Sequence, residues 1–212
     1  ERSAPTPTNE AFTTGMQTMA SNQWEAWSSD ISNAFGQAMK TNRRYPLATS
    51  LPPGFAALGF ECDPRCLLLC KTEVYGLISG PSWLRQSLIS CFEKLGYVRN
   101  PYDRCILTLP PKEIGRTKNV HNLGVVLIEV DDILEGGDTT HRKQMDSFYA
   151  QYKCGKRLNL FAVGKEGTRI SGIRVCQNKD YSFEWHMNEY AAAEMRIIDI
   201  PRGFKTHTTE LS

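Results

Sequence analysis

The side chains best suited to chemistry in this 212-residue sequence are two adjacent carboxylates, Asp131 and Asp132. They directly follow the apolar run Leu123 to Val130, LGVVLIEV, which has the composition of a buried strand. Neighbouring carboxylates repel, and little in the adjoining sequence dilutes that repulsion. A divalent cation would neutralise them. Mg²⁺ takes oxygen ligands and commonly binds through one or two carboxylates, with substrate phosphates completing its shell. Two such ions activate the attacking oxygen and stabilise the leaving oxygen in phosphoryl transfer. The plainer alternative is an Asp-rich hairpin turn, solvated and inert. A third acid, Asp30, ends another short strand candidate, WEAWSSDI, and is followed by Ala34 and Phe35. It would complete a three-carboxylate cluster, although 101 positions separate it from Asp131. Only the fold can bring them together.

The elements that must do this can be read from periodicity and punctuation. Residues 1 to 9 form an extended, Pro- and Thr-rich lead-in. Phe12, Met16 and Met19 predict a helix from Glu10 to about Ala20, with Thr8 or Asn9 as its cap. A strand is expected from Trp24 to Ile31. Residues 40 to 66 read as a long loop with little regular structure, carrying Lys40, Arg43, Arg44 and the turn formers Pro52, Pro53 and Gly54. Leu67 to Cys70 reads as a buried strand. After Gly80-Pro81, an amphipathic helix carries Trp83, Leu84, Leu88, Cys91, Phe92 and Leu95 until Gly96 stops it. Strands are expected at Cys105 to Leu109 and Leu123 to Val130, separated by a polar loop. Glu135-Gly136-Gly137-Asp138 reads as a turn, and Asp138 or Thr139 as the cap of a helix from Thr140 to about Tyr152. Further strands are expected at Leu158 to Val163, Thr168 to Cys176 and Tyr181 to Trp185, then a helix from Met187 to about Ile197. Hairpins with helices on one side point to an α+β fold.

Composition narrows the function classes. Lys and Arg number 25 against 23 Asp and Glu, a net charge of +2, so any basic surface is local. Ten Lys and Arg against six acids between Lys153 and Lys205 could contact phosphates or form an ordinary solvated face. No apolar run reaches membrane-span length and no secretory signal opens the sequence, so no membrane partner is expected. Seven cysteines without a signal peptide fit a reduced, intracellular chain, cytoplasmic or nuclear and not secreted. Cys62, Cys66 and Cys70 would align if a helix formed there. The four histidines are scattered and close no metal-ligand spacing, leaving buried free thiols as the simplest reading.

Six blocks occur in a fixed order: Asp30-Ile31-Ser32-Asn33-Ala34-Phe35, Pro53-Gly54-Phe55, Cys70-Lys71, Tyr75-Gly76-Leu77 with Pro81 and Trp83, Leu95-Gly96-Tyr97, and Val130-Asp131-Asp132-Ile133-Leu134. In this the sequence resembles the reverse transcriptase domain of copia-type long-terminal-repeat retrotransposons, from about residue 5 to residue 198. The resemblance implies a right-hand polymerase palm with partial fingers over residues 10–198, an antiparallel sheet with helices packed on one face, and a C-terminal tail at 199–212. It implies an RNA-directed DNA polymerase that transfers nucleotides to a primer 3′-hydroxyl with two Mg²⁺ ions, or Mn²⁺. Asp30 and Asp131 would be the main metal ligands and Asp132 the third acid. Asn33, Ala34 and Phe35 would contact the nucleotide, with Phe35 beneath its sugar, unless Phe35 is simply core. Tyr75, Gly76, Gly80 and Pro81 would support template and nucleotide, or form a turn before a helix.

The implied partners are an RNA or DNA template with primer and deoxynucleoside triphosphates. The implied polyprotein adds fingers before residue 5, ribonuclease H and integrase portions, making this sequence a fragment expected to polymerise poorly alone. Three positions depart from the family pattern. Glu129 replaces an aromatic, Ser79 lies near a usual Gln, and Gly36-Gln37 replaces an apolar continuation. A decayed palm remnant that at most binds nucleic acid is the alternative, and an unrelated metal-dependent phosphotransferase or nuclease a third.

Overall fold

The computed structural model describes residues 5–41, 43–52, 54, 59, 63, 65–111, 122–170, 172–188 and 191–192. Its centre is a six-stranded antiparallel sheet of β1 (Ala26–Ile31), β4 (Val98–Arg99), β5 (Ile106–Leu109), β6 (Gly124–Glu129), β7 (Asp132–Gly137) and β8 (Cys154–Asn159). The strand order is β4-β5-β6-β7-β1-β8. The β7–β1 contact is non-sequential, and it lays the strand carrying Asp30 beside the hairpin carrying the acid pair. Two smaller sheets accompany it: β2 (Leu47–Ser50) with β3 (Leu67–Cys70), and β9 (Thr168–Ile170), β10 (Ile173–Gln177) and β11 (Phe183–His186). Five α-helices complete the α+β fold among the described residues: α1 (Asn9–Ser21), α2 (Ala34–Gln37), α3 (Gly80–Lys94), α4 (Thr139–Gln151) and α5 (Leu160–Val163).

The expected N-terminal helix is α1, capped by the Thr8 hydroxyl, which accepts from the Ala11 N–H. Asp138 caps α4 by accepting from the Thr140 and His141 N–H groups. The α3 helix begins at Gly80 with Pro81 in its first turn, and Gly96, at φ 93°, follows its end.

Several sequence expectations are corrected. Helices cover both faces of the sheet rather than one, because β6 is buried at every position from Gly124 to Ile128. A strand apolar on both sides needs cover on both. On one face Leu84, Leu88 and Phe92 of α3 and Met145 and Phe148 of α4 pack over Ile31, Leu107, Val126, Ile128 and Ile133. On the other, Phe12, Met16 and Met19 of α1 pack over Ala26, Ile106, Val125, Leu127 and Leu134, joined by Leu160, Ile170 and Val175. The 40–66 stretch contains β2, which pairs with β3. That β3 is a strand but not a buried one: Leu67 and Leu69 are 67% and 57% exposed, and among the described residues its strand partner is β2. Glu135 to Gly137 lie within β7 instead of a turn, and the strand expected over Leu158–Val163 ends at Asn159, where the Asn159 side chain caps α5. Thr168–Cys176 divides into β9 and β10 around Gly172, at φ 79°. Cys66 and Cys70 lie before and within a strand, so they share no helix face; the six described cysteines are free. Pro53, Phe55, Cys62 and residues 199–212 lie outside the described residues, as does most of the expected Met187–Ile197 helix.

No helix among the described residues is long and apolar enough to cross a membrane.

A charged network lies inside the core between β7 and α4. Glu135 and His141 are both fully buried, and the His141 Nε2 to Glu135 Oε2 distance is 2.8 Å. Arg142 donates to both Glu135 oxygens, at 2.8 Å to Oε1 and closer still to Oε2. The opposite ring nitrogen, Nδ1, lies 2.8 Å from the hydroxyl of buried Tyr97. The imidazole occupies space that only glycines leave free, since a Cβ at Gly124 or Gly137 would lie 2.1 or 2.4 Å from its atoms. Burial alone would push the Glu135 carboxyl up. The hydrogen bond from His141 and the charges of His141 and Arg142 outweigh it and hold the group below its ordinary range. Its contribution to stability is therefore present above pH 4.5 and lost as the pH falls below that value. Glu135→Ala, which strands both partners, is expected to cost about 3–5 kcal/mol in urea unfolding at pH 7. A loss below about 1 kcal/mol would show that the network carries no weight.

Candidate functional site

The β6–β7 hairpin closes through two residues, Val130 and Asp131, between the paired Glu129 and Asp132. Val130 has φ 54°, a conformation that costs a β-branched residue about 1–3 kcal/mol and is ordinarily left to glycine in hairpin turns. The turn is tied to the neighbouring strand by the Ile31 N–H, which donates to the Asp131 carbonyl at 3.0 Å.

Register then sets the acids. Asp132 pairs with Glu129 on one side and Asp30 on the other, and Asp30 pairs in turn with Lys156 of β8. Directly opposed residues share a face and have Cα atoms about 4.5–5.5 Å apart. Glu129, Asp132, Asp30 and Lys156 therefore form a row across four strands, three negative charges and then one positive. Partial burial, followed by the charges of Asp131, Asp30 and Glu129, pushes the Asp132 carboxyl up to about 6. Glu129 is half-buried and lines a small cavity with Asn9 and Phe12 from the start of α1, where a helix N-terminus favours negative charge.

Of the three expected acids, the structure puts Asp30 and Asp132 face to face and Asp131 at the adjacent turn. Among the described residues no three His, Cys, Asp or Glu side chains are gathered closely enough to hold a metal ion. The row still fits a divalent cation in charge. Mg²⁺ commonly takes one or two carboxylates and leaves its other positions to phosphate and water. Asp30 and Asp132 are the residues that would hold it.

The expected nucleotide and template residues also come together. Asn33, exposed and in the left-handed region at φ 48°, precedes α2, in which Ala34 and Phe35 are buried. Phe35 is 6% exposed within the core cluster that includes Ala38, Leu84 and Leu88, and Tyr75 meets its ring edge-on with 4.5 Å between centroids. A Cβ at Gly80 would lie 3.2 Å from Phe35 Cε1, so this close approach favours glycine. Phe35 thus sits in the core, and Tyr75, 62% exposed, is the ring presented to solvent. The loop bearing Tyr75 and Gly76 is anchored by Glu73, 2% exposed, which accepts from Arg43 at 2.6 and 2.8 Å and from the Ser79 hydroxyl at 3.0 Å.

Sequence reasoning missed Lys156, Glu73 and the role of Arg43. Lys156 was one basic residue among ten, and only strand register distinguishes it. Nothing in the sequence marks Glu73 as buried.

The row has a measurable consequence. Because the folded Asp132 binds its proton more tightly than the unfolded one, its burden is absent below pH 3.8, grows as the pH rises to about 6, and stays constant beyond. Asp132→Asn is expected to stabilise the protein at pH 8 by about 1 kcal/mol after solvent screening, or about 2–4 °C in Tm, with the gain fading towards pH 4. Thermal scans of both proteins across that range test this, and a pH-independent difference would remove the charge row as the cause.

No family model, curated protein or solved structure matches this sequence.

Proposed function

We propose that this chain is the palm portion of a copia-like reverse transcriptase, an RNA-directed DNA polymerase acting on a primed RNA or DNA template. The observation that supports it most is the register that sets Asp30 opposite Asp132, beside the strained Val130-Asp131 turn. A divalent cation bound there would supply charge to the attacking and leaving oxygens of nucleotidyl transfer. Asp30 and Asp132 would hold such a cation and, through its charge, accept the nucleotide phosphates that the carboxylates alone repel, and Asp131 stands at the adjoining turn as a further acid. Lys156, at the end of the row, offers a cation to a phosphate that approaches the acids. Tyr75 presents an aromatic face for the sugar or base, and Phe35 and Gly80 hold that ring in place.

One observation favours the alternative of a palm remnant that binds nucleic acid without copying it. Glu129 adds a third carboxylate to the row, where it repels nucleotide phosphates.

Two measurements separate these readings. Mn²⁺ or Mg²⁺ is expected to raise the Tm of the unaltered chain and to have little effect on the Asp30→Asn, Asp132→Asn double variant. Primer extension with either ion is expected to be weak but real and to fall by about 10²-fold or more in Asp30→Asn. A cation-dependent Tm shift without extension would leave the remnant. Neither signal would end both metal readings.

A further inference from the structure

We propose that the cleft between α3 and the β4–β5 hairpin binds a phosphate group, with Arg85 as its principal contact. The cleft has a volume of about 750 Å³ and lies on the outer side of α3. Its size is in the usual range for a small-molecule site. Because α3 packs on the sheet face opposite the acid row, the site is independent of the polymerase reading.

Three arginines line the cleft, Arg85, Arg99 and Arg104, against one carboxylate, Glu93. That carboxylate is already engaged, since Arg99 Nε donates to Glu93 Oε1 at 2.7 Å. Arg85 is different. One arm donates to the Arg104 carbonyl, while its buried Nε has no hydrogen-bond acceptor. No carboxylate among the described residues pairs with it. The nearest acid along the hairpin is Asp103, which is occupied in accepting from the Thr8 N–H and hydroxyl and from the Cys105 N–H. The adjacent Cys105 thiol interacts with Arg85 but supplies no counter-charge, because burial, then the Asp103 charge, push it up to about 11 against the opposing effect of Arg85.

A half-buried guanidinium without an anion is costly, and the usual solution is a bound or paired negative group. The forked donor geometry of arginine suits phosphate oxygens. Gln86 and Ser90, one turn apart on α3, line the same cleft and add neutral hydrogen-bonding groups that a phosphate ester can use. The phosphate could belong to a free small molecule or to the end of a nucleic-acid strand, and binding experiments separate these sources.

Titration calorimetry on the full chain at low salt should show saturable binding of inorganic pyrophosphate. Measured with a chelator present, so that no divalent cation draws pyrophosphate to the acid row, Arg85→Gln should weaken it by about tenfold or more. Gln86→Glu, a near-isosteric change at an exposed position, should weaken it as well, and it tests the site even if Arg85→Gln fails to fold. If a 5′-phosphorylated oligonucleotide binds more tightly than its 5′-hydroxyl form, and does so through Arg85, the source is a strand end. Equal binding of the two oligonucleotides, with pyrophosphate still dependent on Arg85, points to a free ligand. The proposal is overturned if pyrophosphate shows no saturable binding, or if a folded Arg85→Gln and Gln86→Glu both bind it as the unaltered chain does.

Discussion

The buried Glu135 carboxylate fixes the architecture around the acids. Side chains alternate along β7, so the residue that must face α4 to meet His141 and Arg142 determines which residues face α1. With Glu135 and Ile133 towards α4, Leu134 and Asp132 must point to the opposite face. A slip of one residue would bury Asp132 among Met145 and Phe148 and would strip His141 and Arg142 of their acceptor. Tyr97, bonded to the far side of His141, extends the constraint from α4 to the segment that leads into β4. The orientation of Asp132 is thus enforced by a charge on the other side of the sheet.

The same sheet explains why the acids are left uncovered while the rest of their face is not. Helix α1 lies over Ala26, Val125, Leu127 and Leu134, which occupy the middle of β1, β6 and β7. Asp30 and Glu129 lie towards the ends of their strands and Asp132 at the start of its own, all at one edge of that covered area. Repulsion among them is tolerated because each has partial access to water or a compensating neighbour. Glu129 has the start of α1, Asp30 has Lys156, and Asp132 absorbs what remains through its raised proton affinity. The backbone strain at Val130 belongs to this balance. It is the local cost of a two-residue turn that keeps Asp132 in register with both Glu129 and Asp30.

Much of this was legible in the sequence, and what was missed has common physical causes. Helices α1, α3 and α4 announce themselves through spacing and caps, and the apolar run before Asp131 could hardly be other than a central strand. The misreadings came where local composition and tertiary context disagree. Glu135-Gly136-Gly137 has the residues of a turn, yet the glycines are there to admit the His141 ring and the Met19 side chain against a strand. Leu67 to Leu69 has the residues of a core strand, yet its only described strand partner is β2. Two-sided covering of the sheet is itself written in β6, since a continuous apolar run marks a strand buried on both faces, whereas one-sided burial would alternate apolar with polar residues. The convergence of Asp30 with the acid pair rested on family resemblance, since no local rule spans 101 positions.

Phe35 shows how far a residue's type can separate from its role. An aromatic following Asp30 by five positions invites a direct role under a bound sugar. Burial argues otherwise: at 6% exposure the ring has almost no surface to offer a ligand, while Tyr75 above it has most of its surface in solvent. The edge-to-face contact converts Phe35 into a platform that holds Tyr75 at a fixed angle, and Gly80 is the space that lets this happen. The chain of support continues to Glu73, whose buried carboxylate ties Arg43 and Ser79 to the Tyr75 loop. The two arrangements are built alike: a buried glutamate paired with an arginine lies behind each group. One pair is Glu135 with Arg142, across the sheet from Asp132, and the other is Glu73 with Arg43, beside the Tyr75 loop.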